Sequence, residues 1–276
     1  MISATTRVAA VIGSPVGHSL SPALHNAGFA ATGVDWVYTA FEVTPGDAGK
    51  ALDAMRVLGF GGLSVTMPHK EAVAALVDEL DPAATSLRSV NTVVPLGDGR
   101  LKGFSTDGTG FVSWLAADGV DLAGKRVCVL GGGAAARAIV DAITRSGVAE
   151  VIVVNRSADR ARDAAELAGS IGAVGTPGDV ADCAVVVNAT SVGMGTTDLP
   201  CEPGLLHAGQ VVADIVYHPR RTAFLEAAER AGAKTVEGLG MLVHQAVLQQ
   251  QLWTGIAPDA TVLWAAAERE LASRGQ

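Results

Sequence analysis

Lys70, Asp107, two clusters of small polar residues and a glycine loop are the parts of this chain whose residue types and spacing suit chemistry. Lys70 closes Leu63-Ser-Val-Thr-Met-Pro-His-Lys70, an apolar run halted by Pro68. Thr66 and Lys70 therefore fall at the carboxyl end of an expected strand, the edge at which open parallel sheets bind ligands. An ammonium placed there stabilises charge developing on a carbonyl oxygen and can supply its proton. Asn91 and Asp107 lie among small polar residues beside two further expected strands, and a carboxylate at Asp107 can both cap the next helix and pair with Lys70. Ser19, Ser21, His25 and Asn26 surround a helix start and offer donors suited to a small carboxylate. The plainer alternatives are a solvated lysine, a capping aspartate and a capping serine, and these segments alone leave them open.

The run Arg126-Val-Cys-Val-Leu-Gly-Gly-Gly-Ala-Ala-Ala-Arg137 passes from a short apolar strand through three glycines into a helix-forming stretch. Gly131, Gly133 and Ala136 fit the dinucleotide-loop spacing, in which one glycine makes the tight turn, one lets backbone approach a pyrophosphate and a small residue allows close helix packing. About 20 residues on, where a loop for NAD carries an acid for the ribose hydroxyl, this chain has Asn155-Arg156 and then Arg160. A guanidinium binds a 2′-phosphate that a carboxylate would repel, so the pattern favours NADP over NAD. A ligand-free strand-turn-helix and solvated surface arginines are the alternatives.

The elements that must position these residues alternate. Strands are expected at Val8–Ile12, Trp36–Val43 and Leu63–Thr66. Helices are expected from Ser21 at the N-cap to Thr32, over Asp47–Leu58 and over Glu71–Glu79. Val90–Pro95 and Arg100–Phe104 pair around Gly97-Asp98-Gly99, and Thr109–Ala117 is a helix. After a polar connection at Asp118–Lys125, strands at Val127–Leu130, Val151–Val154, Ala184–Asn188, Val211–Ile215 and Lys234–Val236 alternate with helices at Ala134–Ile143, Ala158–Ala168 and Thr222–Ala231. Met241–Trp253 and Ala260–Ser273 end the chain as helices with no strand after them. The fold class is α/β, with a parallel sheet in the first domain and a doubly wound sheet in the second.

The 276 residues suit two domains, and 49% hydrophobic residues with a mean hydropathy of +0.34 suffice for sizeable cores. A net charge of −8 and a pI near 5.2 argue against nucleic acid or an anionic membrane as a partner. Cys128, Cys183 and Cys201 are odd in number and widely spaced, which speaks for a reducing compartment and against disulfides or zinc, and the histidine spacings offer no metal cluster. Neither a signal peptide nor a membrane-length apolar run is seen, so the cytoplasm is the expected location. A polar helix face accounts for Gln249, Gln250 and Gln251, and satisfied or partly exposed rings for His25, His69 and His244.

Nine stretches, in this order, resemble the shikimate dehydrogenase family: Gly17-His-Ser-Leu-Ser-Pro-Ala-Leu-His-Asn26, Ser64-Val-Thr-Met-Pro-His-Lys70, Val90-Asn-Thr-Val93, Ser105-Thr-Asp-Gly-Thr-Gly110, the glycine loop with Arg137, Asn155-Arg-Ser157, Asn188-Ala-Thr-Ser-Val-Gly193, Asp214-Ile-Val-Tyr-His-Pro219 and Gly240-Met-Leu-Val-His-Gln245. The resemblance spans essentially the whole chain. It implies NADP-linked reduction of 3-dehydroshikimate to shikimate, a step toward aromatic amino acids. It implies an N-terminal α/β substrate domain (1–118, with 241–276 returning to it) and a Rossmann-type NADP-binding domain (119–240), in a monomer or homodimer. By the same resemblance Lys70 and Asp107 are the catalytic pair, and Ser19, Ser21, Thr66, Asn91, Tyr217 and Gln245 contact the substrate. Gly131, Gly132, Gly133, Ala134, Ala135, Asn155, Arg156, Arg160, Thr190 and Gly238 hold the cofactor. Ser64 and Ser105 stand where the family commonly has Asn, and the loss of an amide there bears on which polyol is preferred. The competing functions are a quinate or shikimate dehydrogenase using NAD and a non-catalytic NADP-binding regulator.

Overall fold

Ala9–Ile12 is apolar at every position because both faces of its strand are covered. In β1 (Arg7–Gly13), Ala9 and Val11 join a buried cluster with Phe29 and Trp253, while Ala10 and Ile12 join another with Leu52 and Leu63. The computed structural model describes residues 2–275. After β1 the chain alternates through α1 (Ser21–Thr32), β2 (Trp36–Glu42), α2 (Ala48–Leu58) and β3 (Gly62–Val65). Then follow α3 (Lys70–Ala74), β4 (Glu79–Leu80), α4 (Pro82–Leu87), β5 (Thr92–Pro95) and β6 (Leu101–Phe104). These strands form one sheet in the order β2-β1-β3-β5-β6-β4. Its β1, β2 and β3 are mutually parallel, as expected, and the β5–β6 hairpin adds antiparallel pairs.

Two local expectations are corrected here. The helix expected over Glu71–Glu79 stops at Ala74. Asp78 is pulled toward β6 instead, its carboxylate accepting from the Leu101 N–H at 2.8 Å and its own N–H donating to the Leu101 carbonyl at 2.9 Å. Glu79 and Leu80 then pair with Lys102 and Gly103 as a short parallel strand. At α1 the N-cap is Leu20, not Ser21, and Pro22 takes one of the first helical positions.

The second unit begins with α5 (Asp107–Ala117) and continues through β7 (Arg126–Leu130), α6 (Ala134–Thr144), β8 (Glu150–Val154), α7 (Ala158–Ala165) and β9 (Gly172–Val174). It is completed by β10 (Val185–Asn188), β11 (Val211–Asp214), α8 (Ala223–Arg230) and β12 (Lys234–Val236). Its strands are all parallel, in the order β12-β11-β10-β7-β8-β9, the doubly wound arrangement in which strand order reverses beside β7. Side chains alternate across β7, Val127 and Val129 entering one core and Cys128 and Leu130 the other. The chain ends in α9 (Leu239–Thr254) and α10 (Ala260–Ser273).

Two units result: the residues up to Thr106 with Val243–Gly275, and Asp107–Leu242. The C-terminal helices return to the first of them. There α10 packs on α1, the Arg274 guanidinium donates to the His18 and Ser19 carbonyls at 2.7 and 3.3 Å, and the Trp253 indole donates to the Val93 carbonyl at 3.1 Å. Among the described residues no helix is long and apolar enough to cross a membrane.

Candidate active site

The first unit gathers its polar residues at the carboxyl ends of β1 and β3. Because these strands are parallel neighbours, the loops that follow them run side by side, and the Ser14 N–H donates to the Met67 carbonyl at 3.0 Å. The first loop carries Ser19 and Ser21. The Ser19 hydroxyl accepts from the Ser21 N–H at 3.2 Å, so Ser19 supplies the turn-closing contact at the start of α1, whose N-cap residue itself makes no side-chain bond. The second loop carries Thr66 and ends at Lys70, the first residue of α3. The Thr66 N–H donates to the Ile12 carbonyl at 2.9 Å, and the Lys70 carbonyl accepts from the Val90 N–H at 3.0 Å, which fixes the lysine's backbone beside the strand bearing Asn91. His69 is buried and its ring Nε2 donates to the Val43 carbonyl at 2.8 Å, a satisfied histidine.

Beneath these loops lies a buried polar cluster joining β2, β3, β5, α1 and α9. The Tyr38 phenol donates to the Ser64 hydroxyl at 2.7 Å, which donates to Gln249 Oε1 at 2.9 Å. Gln249 Nε2 donates to the Thr92 hydroxyl at 2.9 Å and to the Asn91 carbonyl at 3.3 Å. His25 stacks on Tyr38 with ring centroids 4.2 Å apart, bonds Gln249 Oε1 through Nε2 at 3.1 Å and accepts from Gln250 Nε2 at 3.1 Å through Nδ1. Complete burial, partly offset by the bond to Gln249, lowers the His25 pKa to about 3. Burial pushes the Tyr38 phenol up, partly offset by bonds to Ser64 and Ser21. Gln245, one helical turn before Gln249 on α9, is also buried.

The second unit places its candidates at the carboxyl ends of β7, β8, β10 and β11. The glycine loop follows β7 where the strand order reverses, beside the loop Asn188–Gly193 that follows β10. Gly131 holds φ at 128°, and a Cβ there would come within 2.8 Å of the Ala189 carbonyl oxygen. At Gly132 an added Cβ would meet the Arg160 carbonyl oxygen at 2.8 Å, so the loop lies against the start of α7. Gly133 is the N-cap of α6, with Ala134 and Ala135 as its first helical residues. The N-cap makes no side-chain bond, so no side-chain oxygen caps the first N–H groups of this helix, the arrangement in which helix N-termini bind anions.

Asn155 ends β8, its amide donating to the Ser157 carbonyl at 3.0 Å, and Ser157 caps α7 by accepting from the Arg160 N–H at 3.4 Å. Arg156 and Arg160 are exposed on that turn. In the loop after β10, Thr190 donates to Asn188 Oδ1 through its hydroxyl at 2.6 Å and its N–H at 3.1 Å. Asn188 in turn donates to buried Asp214 at 2.9 Å, which also accepts from the Thr222 hydroxyl at 2.7 Å and the Val216 N–H at 3.0 Å. Burial raises the Asp214 pKa, and these three bonds oppose it. This network fixes the segment leading to Tyr217, which is half-buried. Gly238 lies against the same segment, where a Cβ would sit 2.5 Å from the Val216 carbonyl oxygen, and Arg220 pairs with Glu237 at 2.5 Å. Asp107 is the first residue of α5, which packs on α6.

The first unit thus brings together Ser19, Ser21, Thr66, Lys70 and Asn91 at one sheet edge, with Gln245 on α9. The second brings together the glycine loop, Asn155, Arg156, Arg160 and Thr190, with Tyr217, Gly238 and Asp107 on neighbouring segments. Gln249 and Gln250, read from sequence as a polar helix face, are instead 2% and 1% exposed, with Gln249 bonded through both ends of its amide and Gln250 through Nε2. For Gln249 the available signal was its spacing of one helical turn from Gln245; Gln250 had no such signal.

Three family descriptions cover most of the chain: the shikimate dehydrogenase substrate binding domain over residues 11–93, shikimate / quinate 5-dehydrogenase over 115–191 and the shikimate 5′-dehydrogenase C-terminal domain over 238–268. The shikimate dehydrogenase (NADP(+)) of Moorella thermoacetica is 42% identical across 95% of this chain and 92% of its own length. That of Thermococcus kodakarensis is 43% identical across 97% and 98%. Among solved structures, shikimate 5-dehydrogenase from Thermus thermophilus, in complex with NADP(H) and shikimate, superposes with a TM-score of 0.90 at 36% identity, covering 96% of this chain and 99% of the other. With this agreement running through both units and the C-terminal helices, the chain belongs to the shikimate dehydrogenase family.

Proposed function

We propose that the chain reduces 3-dehydroshikimate to shikimate with NADP, and that Lys70 and Asp107 assist the proton transfer. The observation that carries the cofactor side is the loop after β7: two close backbone approaches at Gly131 and Gly132, an α6 start with no side-chain cap, and two exposed guanidiniums, Arg156 and Arg160, where an NAD site would hold a carboxylate. These residues fit NADP, and the chain is an NADP-dependent oxidoreductase like its curated relatives. When bound, the reduced cofactor supplies the hydride.

The chain's own residues do the rest. The N–H groups of Gly132 to Ala135 would donate to the pyrophosphate, Arg156 and Arg160 with Asn155 would hold the 2′-phosphate, and Thr190 and Gly238 would line the rest of the cofactor site. Ser19 and Ser21 donate to the substrate carboxylate, with Tyr217 beside it. Thr66, Asn91 and Gln245 bond ring hydroxyls and fix the face of the carbonyl. Lys70 donates the proton to the oxygen that becomes a hydroxyl, and Asp107 bonds a ring hydroxyl and assists the same transfer.

The test is a single spectrophotometric matrix of NADP and NAD against shikimate and quinate. The highest kcat/KM is expected for NADP with shikimate. A higher value for NAD would overturn the reading of Arg156 and Arg160, and a higher value for quinate the reading of the substrate. Binding of NADP without turnover of either polyol would make the chain a regulator.

A further inference from the structure

We infer that Gln249 is a positioning residue for substrate recognition: its buried carboxamide sets the hydrogen-bond direction of the network connecting the Ser21 end of the site to the Asn91 end. This rests on the function proposed above and adds to it a residue that contacts no substrate.

Backbone groups, whose direction is not negotiable, fix the Asn91 end of the network. The Thr106 N–H can only donate, so the Asn91 side-chain atom it meets at 2.9 Å is Oδ1, and Asn91 Nδ2 is turned to the Thr106 hydroxyl at 2.9 Å. The Asn91 carbonyl can only accept, so the Gln249 atom facing it at 3.3 Å is Nε2. Gln249 Oε1 then faces the other way, and Ser64 and His25 must donate to it. With its proton committed to Gln249, Ser64 accepts from the Tyr38 phenol at 2.7 Å, and the Tyr38 oxygen is left to accept from Ser21 until a substrate carboxylate takes that proton. On the other side, the Thr92 hydroxyl, having accepted from Gln249, passes its proton to Asn91 Oδ1 at 2.9 Å.

One carboxamide therefore directs the Ser64, Tyr38 and Thr92 protons, through hydroxyls that rotate freely in isolation, and ties the Asn91 backbone at one end of the network to the Ser21 hydroxyl at the other. His25, Tyr38, Ser64, Thr92 and Gln249 are all buried, so water does not substitute for a missing link. The network also explains how the chain accommodates a short side chain at Ser64: the amide that resemblance to the family leads one to expect there is supplied from α9 by Gln249, whose Oε1 accepts from the Ser64 hydroxyl.

The experiment measures steady-state kinetics with shikimate and NADP on the parent protein and on Gln249→Met, Gln249→Ala, Thr92→Val and the double variant Ser64→Asn/Gln249→Ala. Gln249→Met keeps the volume and removes both polar ends. It is expected to raise KM for shikimate about tenfold or more, the scale of one lost buried hydrogen bond, while KM for NADP stays within about twofold. Thr92→Val cuts the next link without opening a hole and shows the same split should Gln249→Met fail to fold. The double variant returns an amide from β3 and is expected to recover KM for shikimate to within about threefold of the parent. An unchanged KM for shikimate in Gln249→Met and Thr92→Val overturns the inference, as does an equal rise in KM for NADP, or a double variant no better than Gln249→Ala alone. The parent protein separates the two levels: if it does not turn over shikimate, the proposed function fails and this inference with it, whereas an active parent with insensitive variants removes Gln249 alone.

Discussion

His25 makes the fold sensitive to acid in a way that can be worked out in advance. The ring is 0% exposed, stacked on Tyr38 and tilted against Trp253 and Phe29, and both of its nitrogens are committed. Gln250 Nε2 also donates to the His25 carbonyl at 3.1 Å, so it faces the ring as a donor, and Nδ1 must accept from it without a proton. Protonating Nδ1 would set two donors against each other beside the stacked Tyr38 ring. The folded pKa of about 3 lies below the ordinary 6.5, so between these values the unfolded chain binds a proton that the folded chain does not. The contribution is present in full above pH 6.5 and is lost as pH falls toward 3. At about 1.4 kcal/mol per unit, lowering the pH to 5 costs about 2 kcal/mol. Urea unfolding at pH 7 and pH 5, on the parent and on His25→Phe, isolates this term as the difference between two slopes. Nitrogen NMR of the folded parent should show a neutral ring protonated at Nε2 throughout that range. Equal slopes in the two proteins, or a His25 midpoint near 6.5 in the folded state, would refute the reasoning.

Other consequences are more direct. Lys70→Ala should lower kcat by roughly 10² to 10⁴ with little change in KM for shikimate, as expected for a positioned proton donor, and near-normal turnover would remove Lys70 from the chemistry. Arg156→Asp reverses the charge on the turn after β8 and should shift the ratio of kcat/KM for NADP over NAD toward NAD; a ratio equal to the parent's would mean that Arg156 does not read the 2′-phosphate. Gly131→Val places a β-branched side chain at a φ of 128° and within 2.8 Å of the Ala189 carbonyl oxygen. About 1 to 3 kcal/mol of strain should appear as a lower melting temperature together with weaker NADP binding, and a variant that melts and binds like the parent would contradict the close packing of that loop.

The strand ends and helix starts that carry the glycine loop, Thr66 to Lys70 and the arginines after β8 were legible because each is a local device. A strand end, a turn and a helix start lie within about ten residues, and their chemistry follows from backbone N–H groups and charge whatever surrounds them. The early stop of α3 was not legible, because Asp78 leaves helical geometry for the backbone of Leu101, 23 residues on, and no pattern within Glu71–Glu79 announces that partner. Strand β9 escaped notice for a related reason: Gly172–Val174 is three residues long and gains its strand character only by lying against β8. Gln249 is the extreme case. A glutamine on a C-terminal helix reads as solvated, and its meaning depends on Ser64, 185 residues earlier, being too short to supply an amide of its own. A polar residue on a helix that returns to an earlier domain is therefore better read against the departures in that domain than against its own neighbours. Ser64 and Gln249 act as one polar unit divided between a strand and a helix, the serine donating to the carboxamide at 2.9 Å.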